Sequence, residues 1–309
     1  MSAAPMKVES GPGIGTALQE AAQQKIEVEE TYFWMVVRKF KMHKLAVAGL
    51  FVMVVLTLVA VFAPWIAPYD PYKLTGTFEG APSSKYWLGT DQTGRDMLSR
   101  LIYAARVSLA VGIGSVVISV TIGTLLGLVS GFFGGWIDMV IMRITDIFMS
   151  FPQLMLILVV VSMVGPSLWN VIFILGLLGW TTVARLVRGS VLSLKQMDYI
   201  KAGVALGLGT PRILFNHILP NVMGPILVNA TFGVAGAILL EASLSFLGLG
   251  VQPPTASWGN MLTDAQSLTV LTSQQWLWVP PGMMIIISVL SVNFIGDGLR
   301  DALDPKSFK

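Results

Sequence analysis

The sequence predicts an all-α integral membrane protein with six transmembrane helices. Composition gives the first indication, since 54% of the 309 residues are hydrophobic and only 12% are charged, about half the charged share of a soluble domain. Patterning gives the second, because apolar runs long enough to cross a bilayer recur along the chain. The net charge of +3 is too small to indicate a nucleic-acid-binding protein, and the lack of cysteine excludes disulfides and thiolate chemistry in this chain.

Six apolar stretches are the candidate spans. Residues 45–63 and 107–129 form the first two. The third is expected to begin near Trp136, and residues 147–184 contain no charge and are long enough for two spans. Gly165-Pro166-Ser167 divides that run, because proline and glycine together are the strongest local breakers. The fifth and sixth spans are predicted at residues 225–248 and 278–296.

Lysine and arginine predict the orientation, because short cytoplasmic loops carry them in excess. They cluster before the first span and in the segment 185–224, which we call the insert, whereas residues 250–277 contain none. This pattern predicts cytoplasmic termini and a cytoplasmic insert. It also places residues 64–104 outside, although that segment carries four basic residues.

The chain is therefore divided into five regions. Residues 1–30 are predicted to be a flexible cytoplasmic N-terminus, and residues 31–63 to combine an interfacial segment with the first span. Residues 64–104 form an extracytoplasmic segment. Residues 105–300 form a core of five spans that includes the insert, and residues 301–309 form a cytoplasmic tail.

The insert is predicted to form two short helices joined by a sharp turn. Residues 198–206 have helix-forming composition, and Gly207 and Gly209 are expected to end that helix, since glycine tolerates a left-handed C-terminal cap. Thr210 and Pro211 suit the N-cap and first turn of the next helix. Pro220 is expected to end or kink it.

The insert resembles the cytoplasmic loop of ABC-importer permeases, whose pattern is Glu-Ala-Ala, three residues, Gly, and a downstream Leu-Pro. Here Lys201-Ala202-Gly203 takes the first positions, Gly207 follows at the same spacing, and Leu219-Pro220 completes the pattern. The glutamate is thus replaced by Lys201 and the second alanine by Gly203. The resemblance implies that the insert docks on an ATPase subunit through these residues: Tyr199, Lys201, Ala202, Gly203, Ala205, Leu206, Gly207, Leu208 and Gly209.

Several further motifs resemble the C-type permease subunit of the dipeptide/oligopeptide (and nickel) family of ABC importers. One is Glu241-Ala-Ser-Leu-Ser-Phe-Leu-Gly-Leu-Gly-Val-Gln-Pro-Pro254. The others are residues 87–100, 105–109, 138–152, 180–185, 257–259 and 293–305. Their order and density cover the chain from about residue 45 onwards.

This resemblance implies a type I ABC importer permease fold with a cytoplasmic coupling-helix loop, in a bacterial or archaeal cytoplasmic membrane. It implies a non-catalytic subunit that forms a peptide translocation pathway with a homologous second permease, beside two ATPase subunits and an extracytoplasmic solute-binding protein. No cofactor is expected on this chain. ATP and Mg belong to the partner subunits, because the dipeptide Gly-Lys of a phosphate-binding loop never occurs here.

Polar residues inside the predicted spans are few, and each needs a reason because charge in hydrocarbon is costly. Arg143 and Asp146 lie three residues apart on one helical face and are predicted to pair with each other. Glu241 has no basic neighbour in sequence. We interpret Arg143, Asp146, Glu241 and Asn293 as structural or pathway residues. The repeat Gly123-x-x-x-Gly127-x-x-x-Gly131 predicts close helix packing, either internal or against the partner permease.

Two segments are predicted to form an outer surface for the binding protein. The candidate docking residues are Asp91, Arg95, Asp96, Ser257 and Trp258. Thr93 is expected to cap a short helix, with Asp96 at its third position near the positive end of the helix dipole.

Other functions remain open from the residues alone. The same machinery could import nickel chelates or another small solute, and the sequence does not decide the substrate. An ion-coupled carrier would use Glu241 or Asp146 as a proton site. An intramembrane acid protease would need two carboxylates meeting across helices, and a receptor or scaffold would not couple to an ATPase.

Overall fold

The computed structural model describes residues 32–304, and all regular structure in that range is helical. The predictions for residues 1–30 and for the last five residues of the tail lie outside the described range. The helices are α1 Tyr32–Met42, α2 Lys44–Val61, α3 Ala63–Ile66, α4 Met97–Phe133, α5 Gly135–Met149, α6 Gln153–Val164, α7 Leu168–Leu194, α8 Asp198–Ala205, α9 Thr210–Phe246, α10 Trp258–Met261, α11 Leu268–Ser273 and α12 Gln275–Leu303.

Five helices are long and apolar enough to span a membrane: α2, α4, α7, α9 and α12. The count reaches six if the pair α5 and α6, which is bent by 87°, is taken as one span. The candidate third span, expected to begin near Trp136, falls on this bent pair. Pro152 explains the break, because a proline disfavours helical backbone at the residue before it, here Phe151. Gly165 ends α6 at a positive φ of 93°, as the predicted turn requires.

The direction in which each long helix runs assigns every connecting segment to one of the two ends of the bundle. At the first end lie α1, the insert with α8, and the C-terminus of α12, and we call this the insert side. At the second end lie the connections 67–96 and 247–274, which we call the loop unit. α1 is a helix separate from the first span, because His43 lies between them and its imidazole accepts a hydrogen bond from the Ala46 amide.

The centre of the bundle is the packing of α4 on α7. A Cβ added at Gly127 would lie 2.7 Å from the carbonyl oxygen of Ala184, and one at Gly123 would lie 2.5 Å from the Cβ of Val183. Both distances are too short for any side chain, so the glycines bring the two backbones together. The repeat therefore packs inside this chain, which resolves the alternative left open by the sequence in favour of internal packing.

The loop unit is tied to the first turn of α4. Asp96 caps α4, since its carboxylate accepts the Ser99 amide at 2.8 Å. The predicted cap at Thr93 is therefore wrong. Thr93 instead donates from its amide and hydroxyl to Asp91, whose carboxylate also pairs with Arg95.

Candidate functional site

The insert folds as a compact helical projection from the bundle, as predicted. α8 ends at Ala205, and two residues later Gly207 has a φ of 76°. The amide of Gly207 donates to the carbonyl of Val204 at 3.0 Å, and that of Leu208 donates to the carbonyl of Gly203 at 3.0 Å. These two bonds form a Schellman motif. The predicted glycine cap is confirmed at Gly207, and α9 starts at Thr210 with Pro211 in its first turn.

The projection has one anchored face and one free apolar face. Ile200 is buried with Ile213 of α9. On the other face Leu206 is 82% exposed, and Tyr199 and Val204 are each about half exposed. Lys201, Ala202, Ala205, Gly207 and Gly209 are exposed as well, Leu208 is half-buried, and Gly203 is buried. Of the predicted coupling residues, most therefore lie on a surface that nothing in residues 32–304 covers.

α9 continues through Pro220, so of the two predicted outcomes, an end or a kink at this residue, the helix end does not occur. Residues Ile213–Ile218 form a π-helical segment just before it. A proline lacks an amide hydrogen and its ring crowds the carbonyl four residues earlier. A widened turn accommodates this, and α9 then runs without interruption to Phe246. The part of the projection that belongs to α9 is consequently continuous with the fifth span.

A cavity of about 350 Å³ lies inside the bundle, between α4, α7, α9 and the break between α5 and α6. Its polar lining consists of neutral groups, and no ionisable side chain is among the described residues that line it. Sequence reasoning missed these groups, which are spread over the four helices α4, α6, α7 and α9. They are Ser115, Ser119, Gln153, Thr181, Thr182 and Asn229.

Two ion pairs join α5 to α7, and neither is the predicted one. Asp146 pairs with Arg185 at 2.6 Å, and Asp138 accepts two bonds from Arg188 at 2.5 and 2.6 Å. The prediction of an Arg143–Asp146 pair is wrong, because Thr145 turns toward the bundle and Asp146 meets the neighbouring helix. Arg143 is exposed and has no ion-pair partner within residues 32–304.

Glu241 is completely buried and accepts hydrogen bonds from three serines. Its Oε1 accepts the hydroxyls of Ser245 and Ser257 at 2.7 Å each, and its Oε2 accepts that of Ser108 at 3.4 Å. No basic side chain reaches it in the described part of the chain. Asn293 is half-buried in α12.

Most of the predicted binding-protein contacts are internal. Asp91, Asp96, Ser257 and Trp258 are buried, and Arg95 is half-buried against Asp91. The side chains of these four residues do not reach the surface in this conformation, and docking of a binding protein through them stays a prediction. Burial follows from their bonding, since Asp96 and Ser257 cap α4 and α10, and the Trp258 indole donates to the Leu101 carbonyl.

Five long apolar helices with a bent pair beside them, a cavity with neutral polar groups in its wall and an exposed projection are typical of a membrane transport subunit. Residues 123–309 match the family described as "Binding-protein-dependent transport system inner membrane component", and residues 31–82 match the N-terminal TM domain of oligopeptide transport permease C. The chain therefore belongs to the family of binding-protein-dependent transport system inner membrane components. It is a permease subunit of an ABC importer, with the type I fold.

Two of the relatives that this chain resembles are named as peptide permeases. The chain is 44% identical to the dipeptide transport system permease protein DppC of Alkalihalophilus pseudofirmus, over 87% of this chain and 88% of that protein. It is 42% identical to the oligopeptide transport system permease protein OppC of Bacillus subtilis, over 92% of this chain and 93% of that one. The resemblance to the C-type subunit is thereby confirmed.

A solved structure shares the fold. A chain of the MetNI methionine ABC transporter in an inward-facing conformation matches with a TM-score of 0.54 at 21% identity. The match covers 67% of this chain and 98% of that one. At this identity the likeness concerns the fold alone.

Proposed function

We propose that this chain forms, with a homologous second permease, the pathway of an ATP-driven importer of dipeptides or oligopeptides. Two separate ATPase subunits bind ATP and Mg and dock on the projection, and an extracytoplasmic solute-binding protein delivers the solute. This chain binds no cofactor and catalyses no reaction. The exposed apolar face of the projection carries the proposal, because Leu206 extends 82% of its surface into solvent. The relatives named DppC and OppC support the peptide substrate.

The charge pattern supports the orientation within this proposal. The insert side is cytoplasmic, since it carries the basic clusters, and both termini lie there. The loop unit is extracytoplasmic and faces the binding protein. The membrane is the cytoplasmic membrane of a bacterium or archaeon, and the exposed apolar surfaces of the spans contact lipid or the partner permease.

Packing explains how force at the projection could reach the cavity. α8 is fixed to α9 by the buried Ile200 and Ile213 and by the rigid turn at Gly207. α9 then contributes Asn229 and Gly233 to the cavity wall. Because packed elements move as bodies, displacement of the projection by an ATPase changes the cavity on the same helix.

A test replaces Leu206 with serine in the assembled complex. Burial of a leucine on a partner is worth about 1.5–3 kcal/mol, so L206S should weaken binding of the ATPase subunits by about tenfold or more. ATP-dependent uptake should fall with it. Binding is measured by titrating purified ATPase subunits onto the permease pair in nanodiscs.

The matched control is Leu268→Ser on the opposite side of the bundle. Leu268 is 76% exposed in α11. The two variants therefore make the same substitution at similarly exposed leucines, and they differ only in the side of the bundle on which the leucine lies. L268S should leave ATPase-subunit binding unchanged. Full binding by L206S, or an equal loss in both variants, would contradict docking through the projection.

A further inference from the structure

The two ion pairs between α5 and α7 differ in a way that a purely structural role does not require. Asp138 and Arg188 share two hydrogen bonds and are mostly covered, with side-chain exposures of 18% and 31%. Ser130 also donates to Asp138. Asp146 and Arg185 share one hydrogen bond, with exposures of 54% and 48%. The first pair is a fixed connection between helices, whereas the second is an open one.

The open pair lies next to the cavity. Arg185 follows Thr181 and Thr182 by one helical turn, and both threonines line the cavity. Asp146 precedes Met149 by three residues, on the same side of α5, and Met149 also lines it. Since α7 runs from the loop unit towards the insert, the pair lies at the insert-side mouth of the cavity. Exposed charge at this depth must face an aqueous space or protein, because hydrocarbon excludes it.

The open pair also keeps unused bonding capacity. Arg185 bonds Asp146 through one nitrogen, Nη2, and Asp146 accepts through Oδ1 alone. No other hydrogen bond of these two side chains occurs within the described residues. A solvent-exposed pair costs little to separate. A guanidinium fork binds a carboxylate with two parallel hydrogen bonds, and a free carboxylate binds an ammonium group.

We propose that Asp146 and Arg185 form an exchangeable charge pair that binds the ends of a zwitterionic solute as it leaves the cavity. Arg185 binds the α-carboxylate and Asp146 binds the α-ammonium group. The neutral wall above them hydrogen-bonds peptide groups of any sequence, and the pair supplies the preference for free ends. This inference rests on the proposed peptide function and adds the chemistry that the permease itself recognises.

The test measures equilibrium binding of a radiolabelled tripeptide with free ends to the nucleotide-free complex in nanodiscs, without the binding protein. Competitors are the same tripeptide unlabelled, N-acetylated or C-amidated. The wild type should prefer the free-ended peptide about tenfold over either capped form. R185Q should lose its preference over the amide but keep it over the acetylated form. D146N should show the reverse pattern, and R185K should lie between wild type and R185Q.

Asp138→Asn is the matched control, because it removes the other α5–α7 ion pair while Asp146 and Arg185, which share a hydrogen bond of their own, stay unchanged. D138N should keep both preferences. Equal affinities for all three peptides in the wild type, no binding, unchanged preferences in R185Q and D146N, or failure of both R185Q and R185K to assemble would each overturn the proposal. Uptake by wild-type proteoliposomes with the binding protein is measured in parallel. Peptide uptake without a binding preference removes this inference alone, whereas absence of uptake of any peptide removes the proposed function.

Discussion

Asp264 is a carboxylate held among charges of both signs in the loop unit. It follows α10 and lies beside a small cavity that it shares with Asp91, Arg95 and Arg100. Burial raises the pKa of Asp264 to about 6, and the nearby Asp91 carboxylate adds to the rise, while Arg100 and Arg95 oppose it. Because the pKa in the folded chain lies above the ordinary value of 3.8, folding favours the protonated form. The stability that Asp264 contributes is therefore complete below about pH 4 and is lost as the pH rises through 6.

Replacing Asp264 with asparagine should remove this pH dependence. At pH 8 we expect D264N to be more stable than wild type by about 1–2 kcal/mol after screening by solvent, with a higher unfolding temperature. At pH 5, between the two pKa values, the difference should be about half as large. Scanning fluorimetry of the purified permease pair at both pH values measures this.

Asp198→Asn, an exposed carboxylate on α8, serves as the control for charge removal. The change in stability between pH 5 and pH 8 should be the same in D198N as in wild type. A D264N protein that is equally or less stable than wild type at pH 8 would show that attraction to Arg100 and Arg95 outweighs the cost of burial.

At the level of single residues the sequence identified the right kinds of residue more often than the right partners. Gly207 was predicted correctly, because a left-handed cap is a local property of the chain. Asp146 was paired wrongly with Arg143, because a three-residue spacing permits a contact but does not decide which neighbouring helix supplies a better one. The burial of Asp96 and Ser257 was missed for a similar reason, since a cap residue and an exposed contact residue look alike in sequence.

The packing of α4 on α7 depends on glycines that bring two backbones close together. A Cβ at Gly127 would lie 2.7 Å from both the Ala184 carbonyl oxygen and the Val187 Cβ. A Cβ at Gly189, exposed on α7, would meet nothing within 4 Å. The two positions allow one substitution to be compared in crowded and open surroundings.

Gly127→Ala should destabilise the permease by about 1–3 kcal/mol, because inserting a methyl group into a filled interface forces the helices apart. Gly189→Ala should be neutral or stabilising by up to about 1 kcal/mol, because alanine is the better helix former. Unfolding temperatures in the same detergent give both values. Equal effects of the two substitutions would mean that α4 and α7 are not in close contact.

Among the elements, the spans were predicted well and their interruptions poorly. Apolar length alone located all six, because hydrocarbon thickness sets that length. The 87° bend between α5 and α6 was not predicted. Ser150 and Pro152 lie in an uncharged run, and the sequence of that run is equally consistent with a straight helix. At Pro220 the sequence left a helix end or a kink open, and the structure has a π segment that absorbs the proline. Whether a proline breaks or distorts a helix depends on its tertiary neighbours.

At the scale of the whole molecule, the cavity could not be predicted from the sequence. Its neutral polar groups come from segments far apart in the chain, and each alone is unremarkable for a membrane helix. By contrast, the family motif of the insert fixed the position of the projection. Local patterns therefore located the surface proposed for the ATPases, while only the packed bundle showed the space proposed for the solute.

The loop unit and the spans are joined at Glu241. Ser257 of the loop unit and Ser108 of α4 both donate to this carboxylate from α9. Ser108 also accepts the amide of Trp258 at 3.1 Å. One buried side chain thus fixes the loop unit to two spans, so that motion of α9 would reach the loop unit as well as the projection.

Glu241→Ala should detach the loop unit from the bundle. It leaves three buried serine hydroxyls without their acceptor, and an unsatisfied buried polar group costs about 1–3 kcal/mol. We expect a lower unfolding temperature and faster proteolysis within residues 249–274. Glu241→Gln should largely preserve both properties, because its amide oxygen can still accept from Ser245 and Ser257. Protection of residues 249–274 in E241A at the wild-type level would show that the apolar packing of Trp258, not Glu241, holds the loop unit in place.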